Sequence, residues 1–381
     1  MSCASSGSVA DLSGNIYEEA SRDHELALYI EEPETKQEPE PVPEPKPESM
    51  PEPVTIPESE PASKMAFYEG SVLHIFFHPL VARPETAFSS RYREHFLEWY
   101  VTADEYEKIL DELYANNYVL VDVNEVYEAA NTGNVTTVAY RKPFIPEGRK
   151  PLLLSIDDLS YYENVRRYAS VHKLVIDSSG NIAAWTDGEN GGVFSYNLDA
   201  VTYLEEFIKK HPDFSVRGAR GIIALTGYEG VFGYATHRIN ATGYEEEKQR
   251  AIAVANKLKQ LGWRFASHSY DHPHLPAISV EKFIADADRW DMEVRPVIGG
   301  TNLFIYPFGE GVERNDEKHR ILRERNFNVF FGVGSGTEYR IRPGYIFSER
   351  KNIDGVYFRV FRNRADRLFN IENVIDPARS R

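Results

Sequence analysis

Two carboxylates stand side by side at Asp157 and Asp158, and two imidazoles stand four residues apart at His268 and His272, in a chain of 381 residues. Adjacent aspartates repel unless a cation offsets their charge, and histidines at i and i+4 can face one ion from a helical turn or a tight loop. One carboxylate with two imidazoles forms the open, three-ligand site of a catalytic metal, which keeps room for water and substrate. The pattern therefore reads as Asp158, His268 and His272 around one divalent ion, zinc by default. Asp157 beside them is the base that takes a proton from water. Each piece alone has a plainer reading, since an Asp pair after a strand is usually a solvated turn or a helix cap. A His pair near Pro273 and Pro276 can equally be surface loop.

The elements that must bring these residues together are legible as apolar runs. Val72 to Phe77, Tyr118 to Val121, Pro151 to Ile156, Gly221 to Thr226, Trp263 to Ser267, Asn302 to Tyr306 and Asn328 to Val333 are rich in branched and aromatic residues, as strands buried on both faces require. Amphipathic helical patterns alternate with them, so the expected class is α/β, a distorted (β/α) barrel of about seven parallel strands. Asp157-Asp158, the HSYDHPH segment and Tyr306-Pro307-Phe308-Gly309 each follow such a run directly. In a parallel barrel those positions gather on the carboxyl-terminal rim, where loops build active sites.

Thr102 with Glu105 forms a capping-box pattern ahead of Tyr106, Ile109, Leu110 and Leu113 at helical spacing. Thr242 with Glu245 repeats it, and Gly262 is a natural stop for the helix that follows. Further helices are expected at 200–210 and 280–294. Lys173 to Asp187 alternates on both sides of a Ser-Gly-Asn turn, which predicts a β-hairpin insertion over about 170–197. No fixed-period repeat supports a solenoid.

The first 64 residues differ from the rest. They hold nearly half of the 22 prolines and roughly two-thirds of the net charge of −16. Repeated Glu-Pro and Lys-Pro steps favour extended, solvated chain, so residues 1–64 are expected to be a disordered acidic spacer and 65–381 the barrel domain. No basic cluster interleaved with aromatics points to nucleic acid. No apolar run is long enough for a transmembrane helix. Cys3 is the single cysteine, which excludes an internal disulfide. Small residues around it ahead of a long spacer suggest a lipid anchor, with an exposed thiol as the alternative.

From Ser71 onward the chain resembles the polysaccharide deacetylases, the NodB-like fold of carbohydrate esterase family four. The family's Thr-Phe-Asp-Asp-Gly motif is matched by Ser155-Ile156-Asp157-Asp158-Leu159, and its His-Ser/Thr-x-x-His motif by HSYDH. A Tyr-His pair after the first strand, then a helix and a Gly-Tyr-x-x-Val strand, is similar to FFHPL, the Thr102 helix and NNYVLVDV. The Arg-x-Pro-Tyr-Gly motif is represented by Ile305-Tyr306-Pro307-Phe308-Gly309, without its arginine. SERKNIDG resembles a late arginine-containing strand, and the late Leu-x-x-His motif has no match after Arg350.

The resemblance implies a hydrolase of carbon–nitrogen bonds that removes N-acetyl groups from a cell-wall or surface amino-sugar polymer, with Asp157 as base and Asp158, His268 and His272 as ligands. It implies Tyr306, Pro307 and Phe308 at the substrate and an extracellular or cell-surface location. Alternatives are an O-acetyl esterase, a metal-holding carbohydrate-binding protein with little turnover, which the absent arginine and the absent acid would allow, and a structural surface protein. For the acid that protonates the leaving amine, His78 is the candidate and His274 a weaker one; a lone His near a strand end is more often structural. His74 reads as core and His319 as exposed. The glycine- and aromatic-rich loop with Tyr228 suits a sugar-stacking lip, and the hairpin around Trp185 a cover for the cleft. The sequence does not indicate an oligomeric state.

Overall fold

The computed structural model describes residues 64–132, 135–188, 191–312 and 316–380. Residues 1–63, Cys3 among them, lie outside the described residues, and with them nearly all of the expected spacer. Seven strands close into a parallel barrel in the order of the sequence: β1 (Leu73–Phe77), β2 (Lys150–Ile156), β3 (Ile222–Leu225), β4 (Arg264–Ser267), β5 (Leu303–Ile305), β6 (Val329–Val333) and β7 (Tyr345–Asn352). β7 returns to β1 through Lys351↔Ile75 and Asn352↔Phe76.

The period of two along each strand divides the core. Leu152, Leu154 and Ile156 on β2 pack outward with Ile223, Leu225 and Phe304 against the helices. Leu153 joins Ile222, Ala224, Ala266, Leu303, Val329 and Ile346 within the barrel. Ser155 and Asp157 continue that inward row toward the rim. From below, Tyr127 sends its hydroxyl to Ser348 on β7 at 2.7 Å.

Of the seven expected strands, six are barrel strands and one is not. Tyr118–Leu120 is an edge strand that pairs with Lys150, Pro151 and Leu152 outside the ring. The seventh position belongs to β7, whose segment Ser348-Glu349-Arg350-Lys351 is too polar to read as an apolar run. Each of those polar side chains has its own partner, Ser348 the Tyr127 hydroxyl, Glu349 the Ser335 backbone N–H, Arg350 the Asp157 carboxylate and Lys351 the Phe361 ring, while strand Tyr339–Arg342 runs antiparallel along the lower half of β7. Only the tip of β7 is left to meet β1.

The longer helices are α1 (Arg93–Trp99), α2 (Ala103–Ala115), α3 (Ala200–Lys210), α4 (Tyr244–Leu261), α5 (Val280–Glu293), α6 (Glu317–Glu324) and, after the last strand, α7 (Gly355–Phe361). The Thr102–Glu105 capping box forms at α2. The expected Thr242 box does not: Gly243, at φ 86°, is the N-cap of α4, so the chain enters the helix one residue too late for Thr242 to reach it. Gly262 stops α4 at φ 107°, a left-handed conformation that glycine adopts without a Cβ clash. The insertion is a three-stranded antiparallel sheet, Lys173–Ile176, Ile182–Thr186 and Val193–Ser195, one strand more than a hairpin. Among the described residues no helix is long and apolar enough to cross a membrane.

Candidate active site

Asp157 and Asp158 leave β2 at its carboxyl end, His268 and His272 leave β4, and Arg350 lies near the end of β7. Asp158, His268 and His272 each offer one donor atom, and the three atoms lie within 4.8 Å of one another. That spacing and donor set fit one tetrahedral ion of the zinc type. Asp158 and His272 have positive φ, 56° and 52°, as does Ser269 between the histidines at 60°. Left-handed backbone at residues with a Cβ costs energy and concentrates where a site dictates side-chain direction.

Neighbouring groups orient the donors. His268 Nδ1 donates to the Ile305 carbonyl at 2.9 Å, so Nε2 is the nitrogen left with a lone pair, the arrangement a metal-binding imidazole needs. Burial lowers His268 to about 4 and, with the charge of His78, His272 to about 3. Both rings are therefore neutral at pH 7. Tyr162 donates to Asp158 Oδ1 at 2.5 Å and shares a 2.7 Å hydrogen bond with Thr226. Burial, reinforced by the charge of Asp158, raises the Tyr162 phenol well above its ordinary range, so it stays a donor. The loop between the histidines is tied down by α5, where Asp286 accepts from the backbone N–H of Tyr270 and Asp271 at 2.9 and 2.7 Å. Lys318 of α6 donates to the Leu275 carbonyl at 2.7 Å.

Asp157 is held from β7, which only β1 separates from β2 in the ring. Arg350 Nη1 and Nη2 donate to its Oδ1 and Oδ2 at 2.7 and 2.9 Å, with Arg350 1% exposed. Burial would raise this carboxyl, but the charges of Arg350 and His268 and the Arg350 hydrogen bonds outweigh it and bring it to about 2. The guanidinium absent at position 305 is therefore supplied by β7. Asp157 Oδ2 lies 3.8 Å from His268 Nε2, on the edge of the donor triad. Sequence reading noted an arginine in SERKNIDG without joining it to Asp157; the two are 193 residues apart.

His78 leaves β1 on the same rim. Its Nδ1 donates to the Trp99 carbonyl at 3.0 Å, which leaves Nε2 as its exchangeable position. Its charge bears on Asp157, His272 and the buried Asp354. His274 sits elsewhere in the cleft wall, bonded to Glu310 at 2.9 Å and stacked face to face on Phe308 at 3.8 Å. Phe308, at φ 56°, also sets its edge against His272. Tyr306 and Pro307 are buried, and the Tyr306 ring packs on Phe304 and Phe330. Phe308 is thus the partly exposed side chain of this turn, and the Tyr306 side chain is not accessible. Tyr228 is half-buried and stacks on Tyr162 at 4.7 Å, one ring away from Asp158. His74 is core, as expected, whereas His319 is buried against Phe330 and Tyr345 instead of exposed, because α6 turns that face onto β6 and β7.

The fold is thus a (β/α) barrel that brings an Asp-Asp pair and a His-x-x-x-His loop to one rim. A family model described as polysaccharide deacetylase matches residues 235–330, the span with His268, His272 and the Tyr306–Gly309 turn. Over those residues the resemblance to the polysaccharide deacetylases seen in the sequence is borne out.

Among solved structures the chain is similar to IcaB from Ammonifex degensii, at 15% identity over 76% of this chain and 94% of that one, with a TM-score of 0.42. It is similar also to the Streptococcus pyogenes deacetylase PplD in complex with acetate, at 16% identity over 82% and 100%, TM-score 0.41. A third is a de-N-acetylase from Aggregatibacter actinomycetemcomitans, at 15% identity over 80% and 99%, TM-score 0.44. No curated protein matches.

Proposed function

We propose that this chain is a metal-dependent hydrolase that removes N-acetyl groups from a cell-wall or surface amino-sugar polymer. The observation that carries the reading is the bidentate Arg350–Asp157 pair on the edge of the Asp158, His268 and His272 triad, with His78 on the same rim. A base without its arginine and a leaving-group acid without a match were the reasons to consider a binding protein with little turnover, and Arg350 answers the first of them.

Asp158, His268 and His272 would hold one divalent ion, zinc by the donor set, which when bound would supply Lewis acidity at the acyl oxygen and make the attacking water more acidic. Asp157 accepts the proton of that water as its oxygen bonds to the acyl carbon; the low pKa keeps the carboxylate ionised and ready, and Arg350 fixes its orientation. Burial excludes bulk water and strengthens each of these interactions. Collapse of the tetrahedral species breaks the C–N bond, and His78 Nε2 delivers the proton that the departing amine needs. Phe308 and Tyr228 supply aromatic faces for neighbouring sugar rings.

The location proposed with this activity is extracellular or at the cell surface, with Cys3 as the point of lipid attachment; the mass of the mature protein from its native host tests that part. For the activity, acetate release is compared on N-acetylglucosamine oligomers and on acetylated xylan, with and without chelator. Zinc-dependent release from the amino sugar is expected. Release from xylan alone moves the assignment to an O-acetyl esterase. Asp158→Ala and His268→Ala variants that bind as much zinc as the parent would sink the site.

A further inference from the structure

Behind Asp157 the barrel interior holds two polar side chains that the proposed reaction leaves unused. His74 on β1 and Ser155 on β2 are both 0% exposed. His74 Nε2 lies 3.1 Å from Ser155 Oγ, and Ser155 Oγ lies 3.0 Å from Arg350 Nη1, the same nitrogen that reaches Asp157 Oδ1.

The direction of each bond follows from chemistry. A guanidinium only donates, so Ser155 Oγ accepts from Arg350. The serine's own proton then has one acceptor within reach among the described residues, His74 Nε2, which must be the unprotonated nitrogen. Burial, then the adjacent charge of Arg350, keeps His74 neutral. Its Nδ1 is buried with no hydrogen-bond partner, a cost that an apolar residue of similar size would avoid. A side chain kept at that cost is expected to serve something other than packing.

What it serves is visible at the far end of the line. Arg350 projects from the tip of β7, whose only pairs with β1 are Lys351↔Ile75 and Asn352↔Phe76, and the guanidinium lies over the Phe76 ring at 4.2 Å. The ring limits movement perpendicular to the guanidinium plane and leaves rotation within it. Ser155, two residues before Asp157 on the same strand, removes that rotation.

We infer that His74 and Ser155 are positioning residues, which hold the Arg350 guanidinium in the register that lets both of its arms grip Asp157. Its consequence for turnover rests on the deacetylase reading; the hydrogen-bond order does not.

The full-length chain loaded with zinc is compared as Ser155→Ala and Ser155→Thr, each alone and in an Arg350→Lys background, where a bidentate grip is no longer available. Ser155→Ala is expected to lower kcat about tenfold with KM and zinc content unchanged, and Ser155→Thr to restore it. In the Arg350→Lys background the serine change is expected to add less than about twofold. A serine that merely fills space would act additively with Arg350→Lys. Parent-like turnover in Ser155→Ala, or its full loss persisting beside Arg350→Lys, overturns the proposal. Nitrogen-15 NMR of His74 in the parent chain decides independently of any substrate. An unprotonated, hydrogen-bonded Nε2 is expected, and a proton on Nε2 refutes the proposed order even if acetate release is confirmed.

Discussion

At the scale of single residues, the Arg350–Asp157 pair divides binding from chemistry. Arg350→Met leaves the three donor residues in place, so zinc content measured by elemental analysis should match the parent while kcat/KM for acetate release falls at least about a hundredfold. The same variant carries a signature in acid. Asp157 is depressed from 3.8 to about 2, so the pair's contribution to stability is complete above 3.8 and is lost as pH falls through about 2. Without Arg350 the burial effect prevails and the carboxyl takes up its proton at higher pH, so the acid-unfolding midpoint should move upward. His78→Gln should cost about a hundredfold or more on an amide and much less on an activated ester, whose leaving group needs no proton; equal losses on both would remove His78 as the acid. The donor triad was legible in the sequence because its parts are local: two neighbours on one strand end and an i, i+4 pair on another. The partner of Asp157 was not, because no spacing rule links β2 to the tip of β7.

At the scale of elements, helices hold the loops that carry the donors. Asp286 on α5 takes two backbone N–H groups from the loop between His268 and His272, so Asp286→Ala should weaken zinc binding about tenfold by calorimetry without removing a donor. Near the carboxyl terminus, Arg379 donates to the carbonyls of Leu97 and Tyr100 at 2.7 and 2.6 Å and pairs with the buried Glu105 of α2. The carbonyl of Trp99, next to Tyr100, is the one His78 holds. Arg379→Ala should therefore lower stability by about 3 kcal/mol, since it strands a buried carboxylate, and should depress kcat as well. A loss of stability alone would separate the latch from the catalytic rim. The helices were readable from cap and stripe signals at α2, α3 and α5. At α4 the expected box failed because a glycine intervened, and β7 was missed because a strand lined by polar partners lacks the apolar run by which its neighbours were recognised.

At the scale of the whole molecule, seven parallel strands arranged in sequence order bring residues from the first, second, fourth and last strands to one rim. The class was predictable from alternating apolar runs and amphipathic segments, whereas the count of seven agrees only because an edge strand was included and β7 was not. Ring membership was not, because Tyr118–Leu120 and β3 both pair with β2, and only the position along β2 tells the edge strand from the ring.

The closing of β7 onto β1 has a consequence in time. A chain emerging from the ribosome has both aspartates and both histidines long before Arg350, and Arg379 follows later still. A product ending before residue 345 retains the donor residues but lacks β7 and the guanidinium that aims the base, so on the deacetylase reading it is expected to be at least about a hundredfold less active. Hydrolysis at the full rate would thus require β7 to have closed onto β1.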